Sequence, residues 1–267
     1  MHLEVLRVPP TTADPELADR PPLVFVHGAF AGAWCWRETF MPWFAARGWD
    51  THALSLRGHG ASDGADRLDS TRLADYADDL RRVIDELDRP PVLIGHSMGG
   101  MVVQKVLEDT QAAAAVLLAS VPPTGLFSGS VLMALRHPLL CMALWRIQTF
   151  GPEEASLRMV EAGLFSTPLD AHEAERYAAL LQNESSRVVL DMTWFDVPRR
   201  RRPQELPLLV LGAEDDAFVP PVEVLATAAF HGTTAQLLPD IGHAMMLDRG
   251  WEKTASVIEE WLRYSAF

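Results

Sequence analysis

The chain has 267 residues, of which 48% are hydrophobic and 22% charged, and 23 Lys and Arg stand against 36 Asp and Glu for a net charge of −13. A globular chain of this length is long enough for one domain with a substantial core. Because nucleic acids and anionic lipid surfaces bind clustered Lys and Arg, the acidic balance disfavours both as partners.

Targeting segments, disulfides and metal sites find no support in the sequence. The longest apolar run, residues 112–119, is far shorter than the roughly 18 residues that a membrane-spanning helix needs. The N-terminus has no leader pattern of a basic start followed by an apolar stretch, which predicts a cytoplasmic protein. Cys35 and Cys141 are too few for a disulfide framework and have no metal-ligand spacing around them. We therefore expect two reduced thiols and neither a metal nor another cofactor.

Short apolar runs bounded by turn residues predict buried parallel strands. Between them, residues 73–87 have apolar side chains at helical spacing, which predicts an amphipathic helix capped by Ser70 or Thr71. Residues 251–262 repeat that spacing and predict a terminal helix. Strands that alternate with helices indicate an α/β fold with a mostly parallel central sheet flanked by helices. The predicted strands are 23–26, 53–56, 92–94, 115–119, 208–211 and 235–238.

The strand signal stops between residues 124 and 203. This segment is rich in Leu, Met, Trp and Phe and is broken by several prolines, so we predict a helical insertion. The core domain then consists of residues 1–123 and 204–267. Four arginines, residues 199–202, lie between Pro198 and Pro203 at the end of the insertion. We interpret them as part of a solvated linker.

One motif indicates nucleophilic catalysis. Gly95-His96-Ser97-Met98-Gly99 follows a predicted strand and precedes a helical pattern, which is the context of a nucleophile elbow. Small flanking residues allow the sharp turn that holds the serine hydroxyl above the sheet edge. Ser97 is the predicted nucleophile.

A serine nucleophile needs a base, and the base needs an orienting carboxylate. Gly242-His243 follows the last predicted strand, and the preceding strand leads into Glu214-Asp215-Asp216. This order, serine, acid, then histidine, is the one expected for an elbow of this type. We predict His243 as the base and favour Asp216 as the acid because of its distance from Pro220. Asp215 is the alternative and Glu214 a third choice.

The oxyanion donors are expected at two positions, the residue after the nucleophile and the loop after an early strand. Met98 and Ala29 supply the predicted backbone N–H groups, and Gly28 lets the backbone come close. The histidines of the motifs, His27, His59 and His96, are interpreted as making structural hydrogen bonds.

Together these residues resemble the α/β-hydrolase superfamily, in His27-Gly28, in Arg57-Gly58-His59-Gly60-Ala61-Ser62, in the elbow around Ser97, in the acidic loop and in Gly242-His243. The resemblance covers nearly the whole chain outside the insertion. It implies that the insertion is a helical cap over the active site and assigns the triad to Ser97, Asp216 and His243. Haloalkane dehalogenases and epoxide hydrolases carry an aspartate at the elbow, so the serine argues against both. Hydroxynitrile lyases replace the glycine that this chain keeps at position 28.

The sequence thus predicts a cofactor-independent serine hydrolase that cleaves a small-to-medium apolar carboxylic ester through an acyl-enzyme. A C–C bond hydrolase, a thioesterase or a lysophospholipase with the same triad is the alternative. A ligand-sensing module on the same fold is the alternative outside enzymes. The predicted partner is a small-molecule ester, with no prediction of the oligomeric state. The predicted pocket residues are Phe30, Met142, Trp145 and Phe218.

Overall fold

The computed structural model describes residues 1–12, 17, 19–152, 157–200 and 205–266. Within them, seven strands form one sheet with the order β1-β3-β2-β4-β5-β6-β7. β1 is antiparallel to β3, and every other neighbouring pair is parallel. The strands are β1 (Val5–Val8), β2 (Leu23–Val26), β3 (Thr51–Leu54), β4 (Val92–His96), β5 (Ala114–Leu118), β6 (Leu208–Ala213) and β7 (Ala235–Leu238).

The sequence missed β1 and placed β3 too late in the chain. β1 is an edge strand whose residues are only partly buried, so it lacks the continuous apolar run by which the central strands were found. β3 begins at Thr51, which lies opposite Leu23 of β2. Its first two residues, Thr51 and His52, are buried although they are polar. Apolar character alone therefore marked only the second half of this strand.

Helices cover both faces of the sheet, and successive side chains of β2 point to opposite faces. Leu23 and Phe25 pack with α1, α2 and α11, whereas Val24 and Val26 pack with α3 and α4. Phe25 stacks on Trp36 with ring centroids 5.0 Å apart. The core helices are α1 (Trp34–Arg37), α2 (Phe40–Ala45), α3 (Leu73–Asp85), α4 (Met98–Val106), α10 (Pro221–His231) and α11 (Trp251–Trp261).

Helix α3 is present as predicted, but its predicted caps are wrong. The residue before the helix is Arg72, and its backbone N–H donates to the Asp75 carboxylate at 2.8 Å. The Ser70 hydroxyl instead donates to the Arg67 carbonyl, within a 3₁₀ helix at Ala65–Ser70. This extra turn includes Ser70 and ends directly before Thr71, the other predicted cap.

Among its described residues, the segment between β5 and β6 contains no strand and consists of helices joined by loops. It contains α5 (Phe127–Arg136), α6 (Pro138–Phe150), α7 (Leu157–Leu164), α8 (Ala171–Leu180) and α9 (Ser186–Leu190), followed by a π-helical turn at Asp191–Phe195. The predicted boundary at residue 203 and two of the four arginines before it lie outside the described residues. In the part of the chain that the structure describes, no helix has the length and apolar character to cross a membrane.

Candidate active site

Ser97 occupies the turn between β4, which ends at His96, and α4, which begins at Met98. Its backbone has φ 51° and ψ −117°, a conformation that costs about 1–3 kcal/mol for a residue other than glycine. The turn also brings backbone segments very close together. A Cβ at Gly95 would lie 2.5 Å from the Gly99 oxygen, and a Cβ at Gly99 would lie 2.4 Å from the Val26 oxygen. Both glycines of the motif are therefore required by packing.

His243, in the loop after β7, lies beside the carboxylate of Asp216. Its Nδ1 is 2.7 Å from Asp216 Oδ2, and both side chains are buried. Because a carboxylate only accepts, the neutral imidazole carries its proton on Nδ1 and its lone pair on Nε2. The backbone N–H groups of Phe218 and Val219 donate to the other carboxylate oxygen at 2.8 and 2.9 Å. The carboxylate is thus held on both oxygens.

The two other acidic residues of this loop point to solvent. Glu214 and Asp215 are exposed, whereas Asp216 is buried. The backbone N–H of Glu214 still donates to the Leu238 carbonyl of β7. The chain therefore stays paired with the sheet as far as Glu214 and turns toward the protein interior after it. The geometry brings Asp216 to His243, and the role of Asp216 as the acid of the triad stays a prediction.

His96 forms a hydrogen bond with the loop that carries His243. Its Nε2 donates to the His243 carbonyl at 2.9 Å. Burial, and then the nearby His243, lower the pKa of His96 well below its ordinary value. His96 is therefore neutral and makes a structural hydrogen bond.

The two residues that carry the predicted oxyanion amides lie at the same cavity as Ser97. Ala29 follows β2, Met98 is the first residue of α4, and both line the same cavity as Ser97 and His243. Among the described residues, neither N–H has a hydrogen-bond acceptor. Phe30, next to Ala29, has a positive φ of 63°, and its carbonyl accepts from the Gln182 amide at 2.9 Å. The inserted segment thus fixes the loop that carries one of the two amides.

A cavity of about 490 Å³ opens above Ser97 between the core loops and the inserted helices. Its wall is mainly apolar and includes a stack of three rings. The Trp34 and Tyr177 rings are 5.9 Å apart, and Phe165 lies 6.3 Å beyond Tyr177. Among the described lining residues, Glu161 is the one acidic side chain, and none is Lys or Arg. Its Oε1 accepts from the Leu169 amide at 2.6 Å.

Three of the four pocket residues expected from the sequence line this cavity. Phe30, Trp145 and Phe218 are in its wall, and the Phe218 ring packs 4.8 Å from the His243 ring. Met142 does not line it and is 53% exposed. It lies on the outer side of α6, and the two sides of this helix are hard to tell apart in the sequence because apolar residues occur on both. The cavity is also lined by Trp34, Tyr177 and Glu161, which lie in three separate segments and were not predicted as pocket residues from the sequence.

A sequence profile of the alpha/beta hydrolase family matches residues 23–257. The chain belongs to this family. Methylesterase 2 of Arabidopsis thaliana is 36% identical over 80 residues, which are 29% of this chain and 30% of that protein. Epoxide hydrolase 3 of Xenopus tropicalis is 23% identical over an alignment of 269 positions, which covers 91% of this chain and 71% of that protein. The esterase EaEST from Exiguobacterium antarcticum superposes with a TM-score of 0.76 at 17% identity, over 98% of this chain and 95% of that chain.

These comparisons confirm the fold and the superfamily that the sequence predicted. The chain matches less than a third of the length of methylesterase 2, and the likeness to EaEST is one of fold alone. Epoxide hydrolase 3 is similar over most of this alpha/beta hydrolase. The exclusion of epoxide hydrolysis, which depends on Ser97 at the elbow, stays a prediction.

A buried ion pair joins the inserted segment of this alpha/beta hydrolase to the loop after β3. His59 Nε2 and Glu184 Oε2 are 3.3 Å apart, and both side chains are fully buried. The Tyr76 hydroxyl donates to the other Glu184 oxygen at 2.6 Å. Burial lowers the pKa of His59, but Glu184 outweighs burial and raises it above 6.5. Burial raises the pKa of Glu184, but His59, Tyr76 and a backbone amide outweigh burial and lower it below 4.5.

The pair predicts a pH-dependent contribution to stability. Because the pKa of His59 is raised, its protonation stabilises the folded protein fully below pH 6.5, and this stabilisation is lost as the pH rises through the raised pKa. Because the pKa of Glu184 is lowered, its ionised carboxylate stabilises the folded protein above pH 4.5. We expect Glu184→Gln to lower the free energy of unfolding by about 3–5 kcal/mol near pH 6, and by less at about pH 9. Urea unfolding at both pH values measures this. Glu175→Gln, an exposed change on α8, is the control, and an equal loss at both pH values for Glu184→Gln would contradict the pairing.

Proposed function

We propose that this alpha/beta hydrolase is a serine esterase that cleaves small-to-medium, uncharged, apolar carboxylic esters. The observation that carries the proposal is the 2.7 Å contact of His243 Nδ1 with Asp216, beside the same cavity as the strained Ser97. This contact leaves the lone pair of His243 Nε2 available at a concave, largely apolar cavity that Ser97 also lines. The similarity to a protein named methylesterase supports ester bonds as the class of substrate.

In the proposed reaction, Ser97 Oγ attacks the ester carbonyl carbon while His243 Nε2 takes the hydroxyl proton. The carbonyl oxygen becomes an oxyanion and accepts from the amides of Ala29 and Met98. When the carbonyl re-forms, the bond to the alcohol breaks, and His243 gives its proton to the departing oxygen. Water then attacks the acyl-enzyme with His243 again as base, releasing the acid and restoring Ser97. Asp216 keeps the imidazole oriented and stabilises its charged form.

Rapid mixing with a series of 4-nitrophenyl esters tests this function. Because nitrophenolate is a good leaving group, we expect a burst of one equivalent per enzyme, followed by slower turnover. Acid-quenched protein is expected to gain the mass of the acyl group. Hydrolysis without an acyl adduct would contradict the mechanism. Thioester, lysophospholipid and dienone substrates in the same panel separate the alternatives that use the same triad. Failure of a fluorophosphonate to modify Ser97 would favour a ligand-sensing module.

Glu161, the one carboxylate among the described residues of the cavity wall, predicts a preference against anionic substrates. Glu161 would repel a carboxylate carried by the acyl chain, and no Lys or Arg of the described wall compensates. We expect a nitrophenyl ester with a terminal carboxylate to have a lower kcat/KM than the uncharged ester of equal length. Glu161→Gln is expected to lower the ratio of kcat/KM for the uncharged ester to kcat/KM for the anionic ester about tenfold, because the variant removes a repulsion of about 1–2 kcal/mol. The ratio is expected to stay unchanged in the control variant Glu175→Gln. An unchanged ratio in Glu161→Gln would refute the role.

A cytoplasmic location belongs to the same proposal. Cys35 and Cys141 are both free thiols, and burial raises the pKa of Cys35, which makes this thiol unreactive. Free thiols are typical of a reducing compartment.

A further inference from the structure

Asp248 is a fully buried carboxylate that the proposed reaction does not use. It is 0% exposed and lies in the turn that follows His243. Its Oδ2 accepts from the Ser166 amide at 2.7 Å and from the Gly242 amide at 3.0 Å. Its Oδ1 accepts from the Ser166 hydroxyl at 2.8 Å and from the Gly250 amide at 3.3 Å. Four neutral donors therefore converge on one buried anion.

These contacts join the inserted helices to the residues on both sides of His243. Ser166 belongs to the segment after α7, and Gly242 directly precedes the histidine. On the other side of His243, the backbone N–H of Ala244 donates to the Leu164 carbonyl at 2.8 Å. The approach is close, because a Cβ at Gly242 would lie 2.6 Å from Leu164 O and from Ser166 N. This packing explains why a glycine stands before the histidine.

A carboxylate suits this place because it accepts hydrogen bonds and donates none. An asparagine of the same size would put an NH₂ group against amide and hydroxyl donors that need acceptors. At least one N–H group would then lose its partner inside the protein, at a cost that is large for a buried group. The backbone N–H groups of Gly242 and Ser166 both donate to Asp248 Oδ2. Replacing that oxygen with a weaker acceptor would therefore displace the histidine loop and the inserted segment together.

We propose that Asp248 is a positioning residue for His243. With Ser166 it fixes the histidine loop against the inserted helices, so that the imidazole meets Asp216 and the cavity only when the insertion is docked. This inference rests on the proposed roles of Ser97 and His243. It adds that the inserted segment takes part in setting the catalytic geometry.

The test compares Asp248→Asn with Asp79→Asn in the full-length protein. Asp79 is an equally buried carboxylate that accepts from the backbone and guanidinium of Arg57 on the loop after β3. Each variant is measured for melting temperature, for kcat and KM with a nitrophenyl ester, and for the rate of modification by a fluorophosphonate. All rates are expressed per active site titrated with that reagent, so that unfolded protein does not count.

For Asp248→Asn we expect kcat to fall about 10- to 100-fold, as small displacements of catalytic groups do, with KM changed less than twofold. The fluorophosphonate rate is expected to fall by the same factor. Asp79→Asn is expected to lower the melting temperature but to keep both rates within threefold of the wild type. Unchanged rates per titrated site in Asp248→Asn, or equal losses in the two variants, would overturn the proposal.

Ser166→Ala provides a milder variant in case Asp248→Asn does not fold. It removes the hydroxyl donor and keeps the amide bond to Asp248, and we expect kcat to fall about three- to tenfold with KM unchanged. An unchanged kcat would overturn the proposal. Because wild-type turnover and modification of Ser97 are measured in the same experiment, a failure of the esterase proposal is distinguishable from a failure of this one.

Discussion

Ser97→Ala is expected to lower kcat for a nitrophenyl ester by about a millionfold, to the level left by binding and the oxyanion amides alone. The variant has no hydroxyl to attack the carbonyl, so no acyl-enzyme forms. The removed hydroxyl is half-buried at the cavity, and alanine fits the turn because it is smaller than serine. We therefore expect the melting temperature to change little. Steady-state hydrolysis at saturating ester measures the loss.

Ser130→Ala is the matched control for this variant. Ser130 also lines the cavity, on α5, and has no role in the proposed reaction. We expect kcat to stay within about threefold of the wild type, because most substitutions away from the reacting atoms have small effects. Substantial ester turnover by Ser97→Ala, well above that of a heat-inactivated sample, would contradict the assignment of the nucleophile.

Asp216→Asn is expected to lower kcat by about 10⁴-fold while the fold is kept. The amide would place its NH₂ or its oxygen against His243 Nδ1, and it no longer stabilises the imidazolium that forms when Ser97 loses its proton. The donated bonds from Phe218 and Val219 hold the loop in place, so the side chain is expected to stay in its position. The dependence of kcat on pH and the melting temperature are measured together.

Asp215→Asn separates the two acids that the sequence left open. Asp215 is exposed one residue before Asp216, and we expect its amide variant to retain kcat within twofold. If Asp215→Asn lost activity and Asp216→Asn did not, the acid would have been assigned to the wrong residue, and the 2.7 Å contact to His243 would be structural.

The strand–turn–helix around Ser97, the loop position of His243 and the buried central strands were predictable because each depends on local sequence. A strand, two glycines and a serine at fixed spacing permit only a sharp turn, and the positive φ of Ser97 follows from it. The choice of Asp216 over Asp215 was predictable only as a preference. It depends on where the chain turns inward after β6, which is fixed by pairing of Glu214 with Leu238 of β7.

The contacts between the insertion and the core were not predictable. Gln182 reaches Phe30 across 152 positions of the chain, and Ser166 reaches Asp248 across 82. Such pairs leave no periodic signal in a single sequence. The orientation of α6 was hidden for a related reason, because apolar residues occur all around it and exposed Leu139 and Met142 resemble buried Leu140. The lining of the cavity by α6 to α8 therefore needed coordinates.

The central claim is that His243 activates the Ser97 hydroxyl to form a covalent intermediate. Its most direct test is to treat the wild type and His243→Ala with a fluorophosphonate and to map the adduct by peptide mass spectrometry. We expect one adduct per wild-type chain, on the peptide that contains Ser97, loss of esterase activity in step with it, and no adduct in His243→Ala over the same time. An adduct on another residue, or ester hydrolysis that continues when Ser97 is fully modified, would contradict the claim.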